Sequence, residues 1–215
     1  MNQVYSDISW DTYFFSFLPI IASKSKLPVK VGALAVGPYN EIRLTGFNGL
    51  PSGVKDLPER LEFPLAYKWG EHAERNLIYF AARIGISLNG CKLYMPSSPC
   101  VDCARAIIGA GFIEVISDGD EVYNRTQRYK EKGAEAYTEY KEDHKIVISM
   151  FEDKGIPWRI HYGALIIGEF LFNNPEVRRP FEAAYTAALC SGGIGQGKFR
   201  HGAVIIKDNT IISLS

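Results

Sequence analysis

Two short motifs carry residues of the types and spacing needed for a hydrolytic metal site. The first is Gly70-Glu71-His72-Ala73-Glu74-Arg75-Asn76, and the second is Ser98-Pro99-Cys100-Val101-Asp102-Cys103. Zinc prefers tetrahedral N and S ligands, and a catalytic zinc keeps three from the protein and leaves one position to water. His72, Cys100 and Cys103 supply three, and no fourth ligand of comparable quality stands nearby in sequence. Glu74 is placed to face the open position rather than to bind the metal. There it would take a proton from a zinc-activated water and deliver protons to a ring nitrogen and a leaving amine. Attack at an amidine-like carbon with loss of ammonia needs this set of parts. A lone C-x-x-C would fit structural zinc or redox chemistry as well. A structural site wants a fourth Cys or His, however, and a redox pair has no use for His72 and Glu74. The combination therefore favours a catalytic zinc.

The elements that must position these groups alternate along the chain. Residues 9–25 place Phe14, Phe17, Leu18 and Ile21 at helical spacing, with Ser9 or Asp11 as cap and Pro19 as an interruption. Residues 31–36 and 42–45 read as antiparallel strands around the Gly37-Pro38-Tyr39-Asn40 turn. Gly46-Phe47-Asn48-Gly49-Leu50-Pro51 is too glycine-rich for regular structure. Gly/Pro punctuation favours a plain tight loop there; the alternative is a backbone that approaches a ligand closely, with the Asn48 amide donating and accepting. Residues 52–70 read as a polar connection without His or Cys.

Helices are expected over 71–84 and 100–110, ended by Gly85 and Gly111, with strands over 92–95 and 113–117. Helices beginning at His72 and Cys100 would turn their positive dipole ends towards the metal and favour thiolates. A long helix over 134–153 and a strand over 158–162 complete an α/β layered domain. Ahead of that helix, from Asp118, the chain turns polar. The Lys/Arg-rich run 125–132 reads as a solvated helix face, and Tyr123 and Tyr129 stand within reach of a pocket. His144, His161 and His201 have no ligand-like spacing.

Residues 181–189 are helix-like and residues 201–213 have a hairpin pattern, together echoing residues 14–42. Two readings stand: a partial internal duplication without the zinc motifs, or convergence on a common helix–hairpin unit. The expected organisation is a catalytic domain over 1–162 and an extension over 163–215.

Composition narrows the partners. The chain has 215 residues, 47% of them hydrophobic and 22% charged, with a net charge of zero. That is enough apolar material for a core and no basic excess for a long nucleic acid. Four cysteines are no disulfide framework, and Cys91 and Cys190 read as lone buried thiols. With no apolar leader and no membrane-length apolar run, the expectation is a soluble, reduced, cytoplasmic protein that does not bind membranes.

The pairing of His-x-Glu with Pro-Cys-x-x-Cys is the signature of the zinc deaminases. Residues 10–117 resemble the deoxycytidylate (dCMP) deaminases of the bacterial and phage type. The matching pieces are Trp10-Asp11-Thr12-Tyr13-Phe14, Lys30-Val31-Gly32-Ala33, the loop from Gly46 to Pro51, Pro58-Glu59-Arg60, His72-Ala73-Glu74-Arg75-Asn76 and Pro99-Cys100-Val101-Asp102-Cys103-Ala104. The resemblance implies a cytidine-deaminase-like three-layer α-β-α sandwich with a central mixed sheet. It implies hydrolysis of dCMP to dUMP and ammonia, feeding thymidylate synthesis, on a catalytic Zn2+. It implies that Asn48 contacts the nucleotide sugar, that Ala73, Asn76 and Ser98 lie on the substrate side, and that Gly46, Phe47 and Gly49 belong to a substrate or effector loop. It further implies a homo-oligomer, a hexamer in many members, switched on by dCTP with Mg2+ and off by dTTP.

Three features depart from the pattern. Phe47 replaces the more usual tyrosine, Pro96-Ser97-Ser98 replaces a more apolar stretch, and the tail from about residue 163 has no counterpart in a compact member. The rivals are a deaminase of another pyrimidine nucleotide or nucleoside, a polynucleotide deaminase, and a catalytically silent regulatory relative.

Overall fold

A computed structural model describes residues 8–162 and, beyond them, residues 204–207 and 210–214. The chain divides into two compact units, residues 1–164 and 165–215.

In the first unit the helix α1, Trp10–Ala22, begins where the Ser9 hydroxyl accepts from the Thr12 N–H. It carries Pro19 in its last turn and ends at Ala22, short of the expected residue 25. Five strands follow: β1 (Gly32–Val36), β2 (Ile42–Phe47), β3 (Lys92–Met95), β4 (Glu114–Asp118) and β5 (Trp158–His161). Their order across the sheet is β2-β1-β3-β4-β5. β1 runs antiparallel to both β2 and β3, whereas β3, β4 and β5 are mutually parallel. The sheet is mixed, as expected.

Strand alternation splits the core into two layers. Leu34 and Val36 of β1 join Tyr94, Ile116 and the α1 residues Phe14, Phe15 and Leu18 on one face. Ala33 and Ala35 join Leu77, Leu93, Met95, Ile107, Val115, Val147 and Phe151 on the other. That second layer is built by α4 (Ala73–Ile84), α5 (Val101–Ala110) and α7 (Ala134–Lys154). Each large apolar side chain so buried contributes about 1.5–3 kcal/mol. The small residues Ala33 and Ala35, with Gly46 on β2, let α4 approach the sheet closely. A Cβ at Gly46 would stand 2.6 Å from the Leu77 Cβ and 2.7 Å from the Ala73 carbonyl oxygen.

Four expectations need correction. Gly46 and Phe47 are the end of β2 and not loop, because a glycine here serves helix–sheet packing. Residues 52–70 hold two short helices, α2 (Pro58–Leu61) and α3 (Ala66–Trp69). Pro58 starts α2 in the first-turn position that proline favours. The Arg60 guanidinium lies 4.2 Å over the Trp69 ring and joins the two helices. The helix face expected over 125–132 belongs to a helix that starts earlier, α6 (Gly119–Glu131), and Tyr123 on it is exposed and not within a pocket. The fourth correction is that α4 and α5 start one residue after His72 and Cys100, which are their N-caps.

In the second unit β6 (Val204–Lys207) pairs antiparallel with β7 (Thr210–Leu214), a hairpin where the sequence pattern suggests one. The helix expected over 181–189, the thiol Cys190 and His201 lie outside the described residues. Among the described residues no helix is long and apolar enough to cross a membrane.

Candidate metal centre and active site

Two helix N-termini meet off the end of β3. His72 has extended backbone angles and caps α4 without using its side chain for the cap, and Cys100 does the same for α5. Cys103 follows in the first turn of α5 and is buried. The His72 Nδ1 atom lies 3.6 Å from the Cys100 Sγ and 3.4 Å from the Cys103 Sγ. All three donor atoms fall within 4.8 Å of one another. Tetrahedral zinc with bonds of about 2.3 Å to sulfur and about 2.05 Å to nitrogen sets N and S about 3.6 Å apart. The donor set therefore fits zinc in both chemistry and spacing. The Cys100 thiol is pulled down to about 3, first by a hydrogen bond from Cys103 and, against burial, by His72 and the Cys103 N–H. A thiolate at a helix N-terminus is a ready metal ligand.

Glu74 lies in the first turn of α4 and is only 5% exposed. Its Oε2 atom sits 3.8 Å from the Cys103 Sγ. Burial is the largest influence on it and pushes its carboxyl above the usual range, with the His72 charge opposing. A carboxyl held above its ordinary range by burial takes up a proton more readily, which suits a proton carrier.

Arg75 belongs to the site more fully than its place in the motif indicates. Its Nη1 atom lies 3.7 Å from both cysteine sulfurs. Its Nε donates to Glu71 at 2.6 Å, and Asp102 stands 3.6 Å away. The guanidinium thus balances thiolate charge from outside the donor triad. The sequence signal for it is the i,i+4 pair Glu71–Arg75.

The glycine-rich segment is tied to the same frame. Gly49 and Glu71 form an isolated antiparallel bridge. Asn76 donates from Nδ2 to the Phe47 and Gly49 carbonyls at 3.0 and 3.2 Å. Asn48 is nearly buried; its Oδ1 accepts from the Val31 N–H at 2.7 Å and its Nδ2 donates to the Val29 carbonyl at 2.7 Å. Both asparagines thereby shape the backbone, and each keeps hydrogen-bonding capacity beyond these contacts. Phe47 is 40% exposed, and Ala73 is fully buried at the start of α4.

Ser98 is buried on the path from β3 to Cys100. Its carbonyl accepts from the Arg125 Nη1 at 2.8 Å, and its hydroxyl lies 3.1 Å from the Tyr140 hydroxyl. Tyr129 stacks on Tyr140, with centroids 4.4 Å apart. The contribution of Arg125 and Tyr140 has no signal in the sequence, since Arg125 sits in a polar stretch and Tyr140 in the polar first half of the expected helix over 134–153.

Residues 8–117 match the family model of the cytidine and deoxycytidylate deaminase zinc-binding region. The chain belongs to this family. Membership makes it a zinc-dependent hydrolytic deaminase. An uncharacterized deaminase in the luxG 3' region of Aliivibrio fischeri is 38% identical over 107 residues, covering 49% of this chain and 70% of that protein. The deoxycytidylate deaminase of Homo sapiens is 35% identical over 124 residues, covering 54% of this chain and 68% of that protein. Among solved structures, the dCMP deaminase of cyanophage S-TIM5 in apo form aligns with a TM-score of 0.50 at 21% identity, covering 73% of this chain and 100% of that one. The last likeness concerns the fold, and the deaminase-like layering described above agrees with it.

Proposed function

We propose that this deaminase hydrolyses dCMP to dUMP and ammonia, with His72, Cys100 and Cys103 holding zinc and Glu74 moving protons. The observation that carries the reading is Glu74, buried at 5% exposure and set 3.8 Å from a sulfur of the zinc-fitting triad. Zinc in such a set supplies a Lewis acid beside an open position, where water becomes acidic near neutral pH. Glu74 accepts a proton from the attacking water, passes it to the pyrimidine N3, and delivers a second proton to the departing amine. Water adds at C4, the C4–N4 bond breaks, and the oxygen remains as the product carbonyl. Burial raises the proton affinity of Glu74, in the direction a proton carrier needs.

The choice of dCMP rests on the Gly46 to Pro51 loop fixed beside the site and on relatives described as deoxycytidylate deaminases. In this reading Asn48, Ala73, Asn76 and Ser98 face the nucleotide, and Gly46, Phe47 and Gly49 shape the loop for substrate or effector. Residues 1–162 form the catalytic domain and residues 163–215 an extension. Control by dCTP with Mg2+ and by dTTP, assembly as a homo-oligomer, a cytoplasmic setting and a supply of dUMP for thymidylate rest on the family resemblance.

Ammonia release from dCMP, CMP, dCTP and deoxycytidine, measured side by side on zinc-loaded protein, tests the substrate. The expected result is turnover of dCMP well above the others, altered by dCTP or dTTP. Turnover of another compound with none of dCMP overturns it. Glu74→Gln is expected to lose at least about a hundredfold in kcat while keeping its zinc.

A further inference from the structure

We propose that Arg125 and Tyr140 are positioning residues that set the orientation of the Ser97–Ser98 segment leading into the metal centre. They lie on α6 and α7, beyond the matched family region 8–117.

The segment has few polar handles. Ser98 precedes Pro99, so the peptide joining them offers a carbonyl and no N–H. Three handles are held from the part of the chain that begins at Ser117. The Ser97 carbonyl accepts from the Ser117 hydroxyl at 3.0 Å, and that hydroxyl accepts from the Trp158 Nε1 at 3.0 Å. The Ser98 carbonyl accepts from the Arg125 Nη1 at 2.8 Å. The Ser98 hydroxyl meets the Tyr140 hydroxyl at 3.1 Å, which meets the Thr126 hydroxyl at 3.4 Å. The ring of Tyr140 is itself fixed by near-parallel stacking on Tyr129, at 10° between planes. The Arg125 guanidinium lies 5.9 and 6.0 Å from the Tyr140 and Tyr129 ring centroids.

Among the described residues Arg125 has no carboxylate within ion-pair distance. Its hydrogen bond to the Ser98 carbonyl is charge-assisted, and its charge also reaches Glu74. Ser98 is only two residues from Cys100, and the intervening proline stiffens the link. A rotation of the Ser98 peptide would carry the Cys100 sulfur and the adjoining wall of the site with it. Helices beyond the matched zinc-binding region thus fix the geometry of its core motif. Simple docking of α6 and α7 would stabilise the fold without affecting turnover per folded molecule, and the two roles separate in experiment.

The proposal rests on the deaminase reading for its kinetic arm and not for its metal arm. The full chain is prepared zinc-loaded as wild type, Arg125→Ala, Arg125→Lys and Tyr140→Phe. Zinc release to a chromogenic chelator is followed in each, and kcat and KM are measured with dCMP. Arg125→Ala is expected to release zinc roughly tenfold faster and to lose roughly tenfold in kcat per bound zinc, the scale of losing a group that orients metal ligands. Added guanidinium ion at low millimolar concentration restores part of both, and Arg125→Lys is intermediate. Wild-type zinc release and wild-type kcat per zinc in folded Arg125→Ala, with only a lower melting temperature, overturn the proposal. Should Arg125→Ala not fold, Tyr140→Phe decides, since it removes one hydroxyl and keeps the stack. Zinc release and kcat both unchanged in that variant overturn the proposal; either one altered supports it. A wild-type enzyme inactive on dCMP would sink the substrate reading, and zinc release would still decide whether Arg125 and Tyr140 hold the metal centre in place.

Discussion

Gly49 and Glu71 exchange both backbone hydrogen bonds of their bridge, at 3.1 and 2.8 Å. Glu71 directly precedes His72, so the glycine-rich loop and the metal ligand share one rigid frame. Asn76, one turn along α4, closes that frame through the Phe47 and Gly49 carbonyls. Asn76→Ala leaves those carbonyls without their donor, at a cost of about 1 kcal/mol. The expected outcome is a raised KM with zinc content unchanged. Steady-state kinetics paired with metal analysis checks it, and an unaltered KM would argue that the loop does not need this brace.

Two glycine substitutions should move stability in opposite directions. Gly46→Ala drives a methyl to within 2.6 Å of the Leu77 Cβ. Helix α4 would have to shift, and overpacking of this kind costs about 1–3 kcal/mol. Gly109 lies inside α5, where an added methyl would meet nothing within 4 Å, and its φ is ordinary for a helix. Gly109→Ala should stabilise by roughly 0.5–1 kcal/mol, because glycine loses more backbone freedom on folding. Denaturant unfolding of the two variants beside wild type measures both signs.

The contrast between what is legible in the sequence and what is not follows from how each helix is held. α4 and α5 are readable because Leu77, Ala81, Ala104 and Ile107 repeat at helical spacing and Gly85 and Gly111 stop them. The zinc-fitting triad is readable because its residues are clustered in two motifs. α6 buries only Gly119 and has no apolar period to detect. It is fixed instead by the Asp118 side chain accepting from the Asp120 and Glu121 N–H groups, with acids in its first turn and bases in its last. Arg125 escapes sequence reasoning for that reason. Gly46 and Phe47 resemble loop because a glycine in a strand looks like a turn until the helix that crosses it is known.

Metal removal should unload the charge balance at the site. The two sulfurs, Glu74 and the Arg75 guanidinium are gathered in one small region. A dication completes that balance, and its loss leaves the donor groups to take up protons in its place. Chelation should abolish turnover and lower the melting temperature, and added Zn2+ should restore both. Loaded protein should hold about one zinc per chain. Cys103→Ser should fail to retain it through gel filtration. Equal melting temperatures with and without chelator would contradict this account.

The opposite face of the sheet, where α1 packs, offers a pH test independent of the metal. Asp11 accepts from the Tyr94 hydroxyl at 2.7 Å and from the Arg159 Nη1 and Nη2 at 2.5 and 3.1 Å, pinning α1 to β3 and β5. Burial raises its carboxyl, but the Arg159 and Tyr94 hydrogen bonds and the Arg159 charge outweigh it, leaving Asp11 below its ordinary value of 3.8. A carboxyl depressed in the folded state contributes stability above its unfolded pKa and loses it as pH falls through the folded one. Arg159 is 40% exposed, so solvent screens part of the interaction. Asp11→Asn should therefore cost about 1 kcal/mol at neutral pH. The gap between wild type and variant should narrow from about pH 4 downwards, where the unfolded state takes up a proton before the folded one does. Urea unfolding of the pair across this range reads the difference directly, and a gap that stayed constant into acid would mean that Asp11 acts by shape and not by charge.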